Sequence, residues 1–135
     1  MLLAAACALL TAAEIARVQG EPPAQAKASQ AGASERCFFE LPTFTKSISL
    51  EVTRGANVRD LWKKSLHDEE ENARPERVRG IGDDAFWFGD PRLGGLYVLR
   101  KDAMLRLSVG GAETKAVKLR KLKLLARAAL KKLFR

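Results

Sequence analysis

The sequence predicts an α+β domain in which a curved antiparallel sheet of about five to six strands is flanked by three helices. A short helix is expected at the N-terminus, another in the middle and a long one at the C-terminus. Three runs rich in aromatic and branched residues follow one another within residues 81–109 and are separated by turn residues, as consecutive strands are. A leucine repeat at helical spacing fills residues 113–133. The 135 residues suit a single domain that spans residues 1–135.

The chain begins with small and apolar residues. Residues 1–6 are expected to be the remainder of an export leader or a disordered tail, because this run is too short to span a bilayer and has no basic start. Small residues before Cys7 resemble the end of a bacterial lipoprotein signal, in which that cysteine is acylated. A disulfide between Cys7 and Cys37 is the favoured alternative, and two buried free thiols are a third. A disulfide indicates a periplasmic, secreted or envelope-associated protein.

The first predicted helix has a clear start and end. Thr11 and Glu14 have the spacing of a capping box, which places the first helical residue at Ala12. Gly20, with two prolines close behind, ends the helix.

Three strands are predicted before the middle helix. An edge strand is expected at residues 25–29 and a second strand at residues 36–41. Residues 46–53 alternate strictly between apolar and polar side chains, which is typical of an antiparallel sheet with one buried and one wet face.

Two amphipathic segments predict the remaining helices. The buried stripe of the middle helix is formed by residues spaced three and four apart, Val58, Leu61, Trp62, Ser65 and Leu66, and the helix is expected to end in the polar run 67–72. The C-terminal helix is expected to lie with its leucines against the sheet.

The positive charge is confined to one segment. The net charge is +8, yet residues 113–135 hold nine basic residues and one acid, and the other 112 residues hold 15 of each sign. Any electrostatic partner must therefore be argued from the C-terminal helix alone. A packed helix with an incidentally basic outer face is favoured over a membrane-surface helix, since both need an apolar face. The candidate contacts for an anionic partner are Lys118, Arg120, Lys121, Lys123, Arg127, Lys131 and Lys132.

No residue pattern predicts catalysis, a metal or a cofactor. Gly80 and Gly82 lack the third glycine of a dinucleotide fingerprint and are expected to allow close approach to a strand. His67 has no second histidine nearby, so a charged helix exit is favoured over a metal site or a triad. For two further groups of residues, a structural role is favoured over a functional one. They are the acids Asp83, Asp84 and Asp90, expected at strand ends rather than around a cation, and the aromatics Phe86, Trp87, Phe88 and Tyr97, expected in the core rather than in a ligand pocket.

Three segments resemble small exported bacterial domains with a PsbP-like α/β/α sandwich fold. They are Cys-Ala-Leu-Leu-Thr-Ala-Ala-Glu-Ile at residues 7–15, Arg-Cys-Phe-Phe-Glu-Leu-Pro at 36–42 and Gly-Ile-Gly-Asp-Asp-Ala-Phe-Trp at 80–87. The resemblance implies a curved antiparallel sheet flanked by helices, and it carries over no catalytic residue. The chain departs from the family in its incomplete leader and its unusually basic final helix.

Taken together, these observations predict a non-enzymatic binding or accessory module of the bacterial cell envelope. Its partner is expected to be a ligand or protein held by the sheet or by a groove between helix and sheet. The alternative is a peripheral binder of anionic membranes or nucleic acid through the basic helix, with nucleic acid disfavoured. The protein is expected to be a monomer.

Overall fold

The computed structural model describes residues 6–72, 75–89 and 94–134. In this part of the chain, seven strands form one open antiparallel sheet in the order β1-β2-β3-β7-β6-β5-β4. The strands are β1 (Gln25–Ala31), β2 (Ser34–Glu40), β3 (Ile48–Arg54), β4 (Glu76–Arg77), β5 (Asp84–Phe88), β6 (Gly95–Arg100) and β7 (Ala103–Val109). The helices are α1 (Ala12–Gln19), α2 (Val58–Asn72) and α3 (Lys115–Leu133). The predicted α+β class and the positions of the three helices are confirmed.

Two antiparallel meanders meet in the middle of the sheet. Strands β1, β2 and β3 follow one another, and α2 then carries the chain to the opposite edge. Strands β4 to β7 return from that edge until β7 pairs with β3. The predicted count of five to six strands was too low, because β4 was missed. It is a two-residue strand with exposed polar side chains, so it has no apolar alternation to reveal it.

The main core lies between the sheet and the pair α1 and α3. Leu122, Leu125 and Leu130 of α3 are 0%, 1% and 4% exposed, which confirms that the leucine stripe packs on the sheet. Ile15 of α1 joins the same cluster. Every second side chain of the strands points toward α1 and α3 and supplies the other side of this core, including Leu50 and Leu107.

The start of the chain is fixed to this core by the predicted capping box and disulfide. Thr11 Oγ1 accepts the Glu14 amide at 3.1 Å, and a Glu14 carboxylate oxygen accepts the Thr11 amide at 2.8 Å. Cys7 and Cys37 are disulfide-bonded, with their Cα atoms 5.1 Å apart. The predicted leader or tail falls outside the described residues except for Ala6, which is buried.

A smaller core lies on the other face of the sheet, under α2. Val58 and Trp62 pack there against Phe86 and Phe88, which confirms a core role for these aromatics. Helix α2 ends at Asn72, within the polar run where its end was predicted. Glutamate is a good helix former, so this run needs no apolar stripe to stay helical.

Candidate ligand-binding surface

Helix α2 covers only part of its face of the sheet. The aromatics under α2 lie on β5 and β6, whereas no described helix covers the same face of β1, β2 and β3. We call this uncovered region, together with the adjoining part of β7, the open sheet face. Its residues line a concave volume of about 310 Å³ and include Ser29, Arg36, Phe38, Ser49, Glu51, Arg106 and Ser108.

Strand alternation and register put these side chains side by side. Cys37, Leu50 and Leu107 point into the main core, so their chain neighbours point to the open sheet face. The pairing register then forms two rows across the strands. One row contains Ser29, Arg36, Glu51, Arg106 and Tyr97, and the next contains Lys27, Phe38, Ser49 and Ser108.

Most charges on the open sheet face are paired. Arg36 Nε lies 2.6 Å from a Glu51 carboxylate oxygen, and Lys27 Nζ lies 2.9 Å from Glu40. Arg106 differs, because its guanidinium carbon lies over two rings, 5.1 Å from the centre of Phe88 and 5.5 Å from that of Tyr97. Among the carboxylate side chains that the structure describes, none lies within ion-pair distance of Arg106. Arg106 therefore differs from Lys27 and Arg36, two other cations of this face, which are both in ion pairs.

An apolar region adjoins these polar groups. The rings of Phe38 and Phe44 lie 5.9 Å apart, and Phe44 is 63% exposed. Phe38 and Ser108 also line a second, wider concavity of about 930 Å³. At one end of this second concavity, the main chain of Gly110 lies close to that of Thr45. A Cβ atom added at Gly110 would lie 1.9 Å from the Thr45 carbonyl oxygen. A ligand on this surface could contact a guanidinium, hydroxyl groups and aromatic rings together.

Burial under α2 affects the single tyrosine beside this surface. It raises the pKa of Tyr97, while the positive charge of Arg106 acts in the opposite direction. The phenol is therefore neutral at physiological pH and offers a hydroxyl rather than a charge.

The predicted basic helix is only partly available to a partner. Lys118 is 1% exposed and does not belong to the basic surface, a correction that follows from its position four residues before the buried Leu122. Lys121 Nζ donates to the side chains of Gln19 and Glu113, at 2.7 and 2.6 Å. Lys132 binds Glu14 in a similar way.

The remaining predicted cations are accessible to different degrees. Arg120 and Lys131 are exposed, Lys123 is half-buried, and Arg127 is exposed but donates to the Gly80 carbonyl at 3.3 Å. Leu124 lies among them and is 53% exposed.

The two predicted acids that the structure describes, Asp83 and Asp84, make structural contacts. Asp83 accepts the Lys101 amide and pairs with Arg59, and Asp84 accepts the Trp62 indole N–H at 3.0 Å. Asp90 is not described. Among described residues, no group of three metal-ligating side chains comes together, at His67 or elsewhere.

Sequence reasoning missed the open sheet face. Arg106 lies between apolar residues of a predicted strand, so the sequence pattern indicates that its side chain points away from the core. The pattern does not indicate which strand pairs with this one, and the structure shows that it is β3. The surface is formed by strands that are distant in sequence, and their pairing register decides which side chains lie side by side. The sequence pattern does not contain this register.

Comparison with protein-family models, curated proteins and solved structures finds no match. Among the described residues, no helix is both long and apolar enough to cross a bilayer.

Proposed function

We propose that this protein is a non-enzymatic binding module of the bacterial cell envelope that holds a ligand on the open sheet face. The observation that carries the proposal is the concave, half-polar and half-aromatic surface that α2 leaves uncovered. Its volume is in the range of small-molecule sites, and such sites combine apolar walls with a few polar groups. The non-enzymatic assignment rests on the absence of a catalytic motif from the sequence.

The Cys7–Cys37 disulfide supports the proposed location, because disulfides persist in the periplasm and outside the cell. The resemblance to small exported domains with a PsbP-like sandwich points to the same compartments.

An amide NMR titration with a set of small fragments tests the proposal. The set should contain carboxylates, amines, neutral aromatics and sugars. We expect hits to shift the amides of Ser49 and Ser108 more than those of α3. Ser49→Trp should abolish these shifts by filling the concavity, whereas Arg120→Trp, on the other side of the molecule, should leave them unchanged. Hits that map to other surfaces, or that survive Ser49→Trp, would contradict the proposal.

A second candidate function is peripheral binding to an anionic membrane. The exposed Leu124 favours it, because Arg120, Arg127 and Lys131 lie one or two helical turns away on the same side of α3. An apolar side chain surrounded by cations suits a negatively charged lipid surface.

Vesicle sedimentation tests this candidate. Vesicles containing phosphatidylglycerol should bind the protein, whereas vesicles of phosphatidylcholine alone should not. Reversing Arg120, Lys123 and Lys131 to Glu should abolish binding. Reversing the exposed Lys63 and Lys64 of α2 is the matched control and should have little effect. Equal binding by both variants would remove the candidate.

A further inference from the structure

In the part of the chain that the structure describes, Arg106 is held by aromatic rings and not by a carboxylate. Its guanidinium carbon lies over both Phe88 and Tyr97, whose ring centres are 4.5 Å apart and whose planes are inclined at 54°. Phe86 packs against Tyr97 with the ring centres 4.7 Å apart and restricts the movement of that ring. Cation–π contact positions the guanidinium without using its N–H donors in hydrogen bonds to a carboxylate. These donors are therefore preorganised to bind an anion.

The nearest acid on the sheet does not satisfy this arginine. Glu51 lies opposite Arg106 in the register, but its carboxylate is bound by Arg36 on the other side. Besides burial, the carboxylates of Glu51, Asp68 and Glu69 raise the pKa of Tyr97, so negative charge is already present beside Arg106. A phosphate dianion would be repelled more strongly than a monoanion, and a carboxylate also matches the guanidinium fork, so a carboxylate fits better.

Two hydroxyl groups stand beside the guanidinium. Ser49 and Ser108 are directly opposite each other on β3 and β7, one row along from Arg106. Serine hydroxyls can donate to an anion and complete its hydrogen bonding.

The aromatic pair provides the other end of the site. Phe38 lies opposite Ser49 on β2, two strand spacings or roughly 10 Å from β7. Phe44 extends the apolar region beyond it and is 63% exposed. A ligand that reaches from Arg106 to these rings must therefore have both an anionic end and an apolar body.

We infer that the ligand of the open sheet face is a small amphipathic carboxylate, bound through its carboxylate by Arg106 and through its apolar part by Phe38 and Phe44. This inference rests on the proposed function and names the ligand class for the same surface.

Octanoate and octanamide are matched probes, since they share the apolar chain and differ in charge. Amide NMR titrations should show octanoate binding at Ser49 and Ser108 with an affinity at least tenfold higher than that of octanamide. Arg106→Gln should weaken octanoate binding at least tenfold and leave octanamide binding unchanged. Arg106→Lys should give an intermediate loss, because it keeps the charge but not the planar fork. Arg120→Gln, which removes an exposed charge on the opposite side, is the control and should have no effect.

The outcomes separate the ligand class from the proposed function. Equal binding of both probes at the sheet, insensitive to Arg106→Gln, would overturn the carboxylate inference and leave the binding surface in place. Octanoate shifts that appear only on α3 would also overturn it. If octanoate fails while other fragments bind the open sheet face, the ligand class is wrong but the function stands. If no fragment binds there at all, both fail.

Discussion

Lys132, in the last turn of α3, places its Nζ atom 2.7 Å from the Glu14 carboxylate in the capping box of α1. The same nitrogen donates to the Leu9 carbonyl at 3.1 Å. Glu14 also accepts the Thr11 amide, so one carboxylate caps α1 and holds it against α3. The Lys132 and Glu14 side chains are only 18% and 28% exposed, which limits their screening by solvent.

Lys132→Met should therefore lower the free energy of unfolding by about 1 to 2 kcal/mol, as expected for a partly buried hydrogen bond between charged groups. Urea denaturation measures the change. Lys131→Met is the matched control, because its side chain is exposed and its loss should cost less than about 0.5 kcal/mol. Equal losses in the two variants would show that the pair with Glu14 contributes nothing.

The same pair gives a prediction for the dependence of stability on pH. Burial acts to raise the pKa of Glu14, but hydrogen bonds from Lys132 and Thr11 outweigh it and leave the pKa below its ordinary value of 4.5. A carboxyl group with a lowered folded-state pKa stabilises the protein above its unfolded-state pKa, and this contribution is lost as the pH falls through the folded-state value. Wild-type stability should therefore fall more steeply below pH 4.5 than that of Lys132→Met. Denaturation curves at stepped pH test this, and parallel slopes would contradict it.

Reduction of the disulfide should have a larger effect. The bond joins residues 30 positions apart, and closing a loop of that length stabilises by about 3 to 4 kcal/mol in the chain-entropy model. Unfolding with and without reductant measures the loss directly. A variant with alanine at both Cys7 and Cys37 is the control, and its stability should not respond to reductant. A wild-type protein that is equally stable in both conditions would refute the prediction.

Gly82 and Gly80 provide a matched pair for backbone strain and steric contact. Both have positive φ, +63° and +84°, but an added Cβ at Gly82 would lie 2.6 Å from the Leu99 carbonyl oxygen, whereas one at Gly80 meets open space. Gly80→Ala should cost about 1 to 2 kcal/mol through the left-handed backbone alone. Gly82→Ala should cost at least 1 kcal/mol more, because the adjoining main chain must shift. Thermal and urea denaturation compare them, and equal costs would show that the close approach is not limiting.

The elements that sequence predicted well are those with a local signal. The capping box at Thr11 and the leucine stripe around Leu122 each depend on residues within one or two helical turns, and both are confirmed. The close approach to a strand that was predicted for both Gly80 and Gly82 is confirmed at Gly82 but is wrong at Gly80, where an added Cβ would meet open space.

The errors share a physical cause, which is dependence on distant parts of the chain. Strand β4 exists because Glu76 and Arg77 pair with Trp87 and Phe86, not because of their own pattern. The candidate site is similar, since Arg106 obtains its position from Tyr97 and its lack of a charge partner from the Arg36–Glu51 pair. The prediction that Lys118 contacts an anionic partner was wrong for a different reason. Its charge suggested an exposed side chain, but its position on the helix belongs to the buried stripe.

Tyr97 offers a direct measurement of the environment of Arg106. It is the only tyrosine in the chain, so the ultraviolet absorbance of its phenolate reports on this one group. Burial raises the pKa of Tyr97, and the nearby guanidinium of Arg106 partly offsets that rise by favouring the phenolate. Arg106→Gln should therefore raise the pKa of Tyr97 further, whereas Arg120→Gln should not change it. A carboxylate bound to Arg106 should act in the same direction as the Gln substitution, because it neutralises the guanidinium. A Tyr97 titration that is unaffected by Arg106→Gln would show that the guanidinium does not lie over this ring in solution.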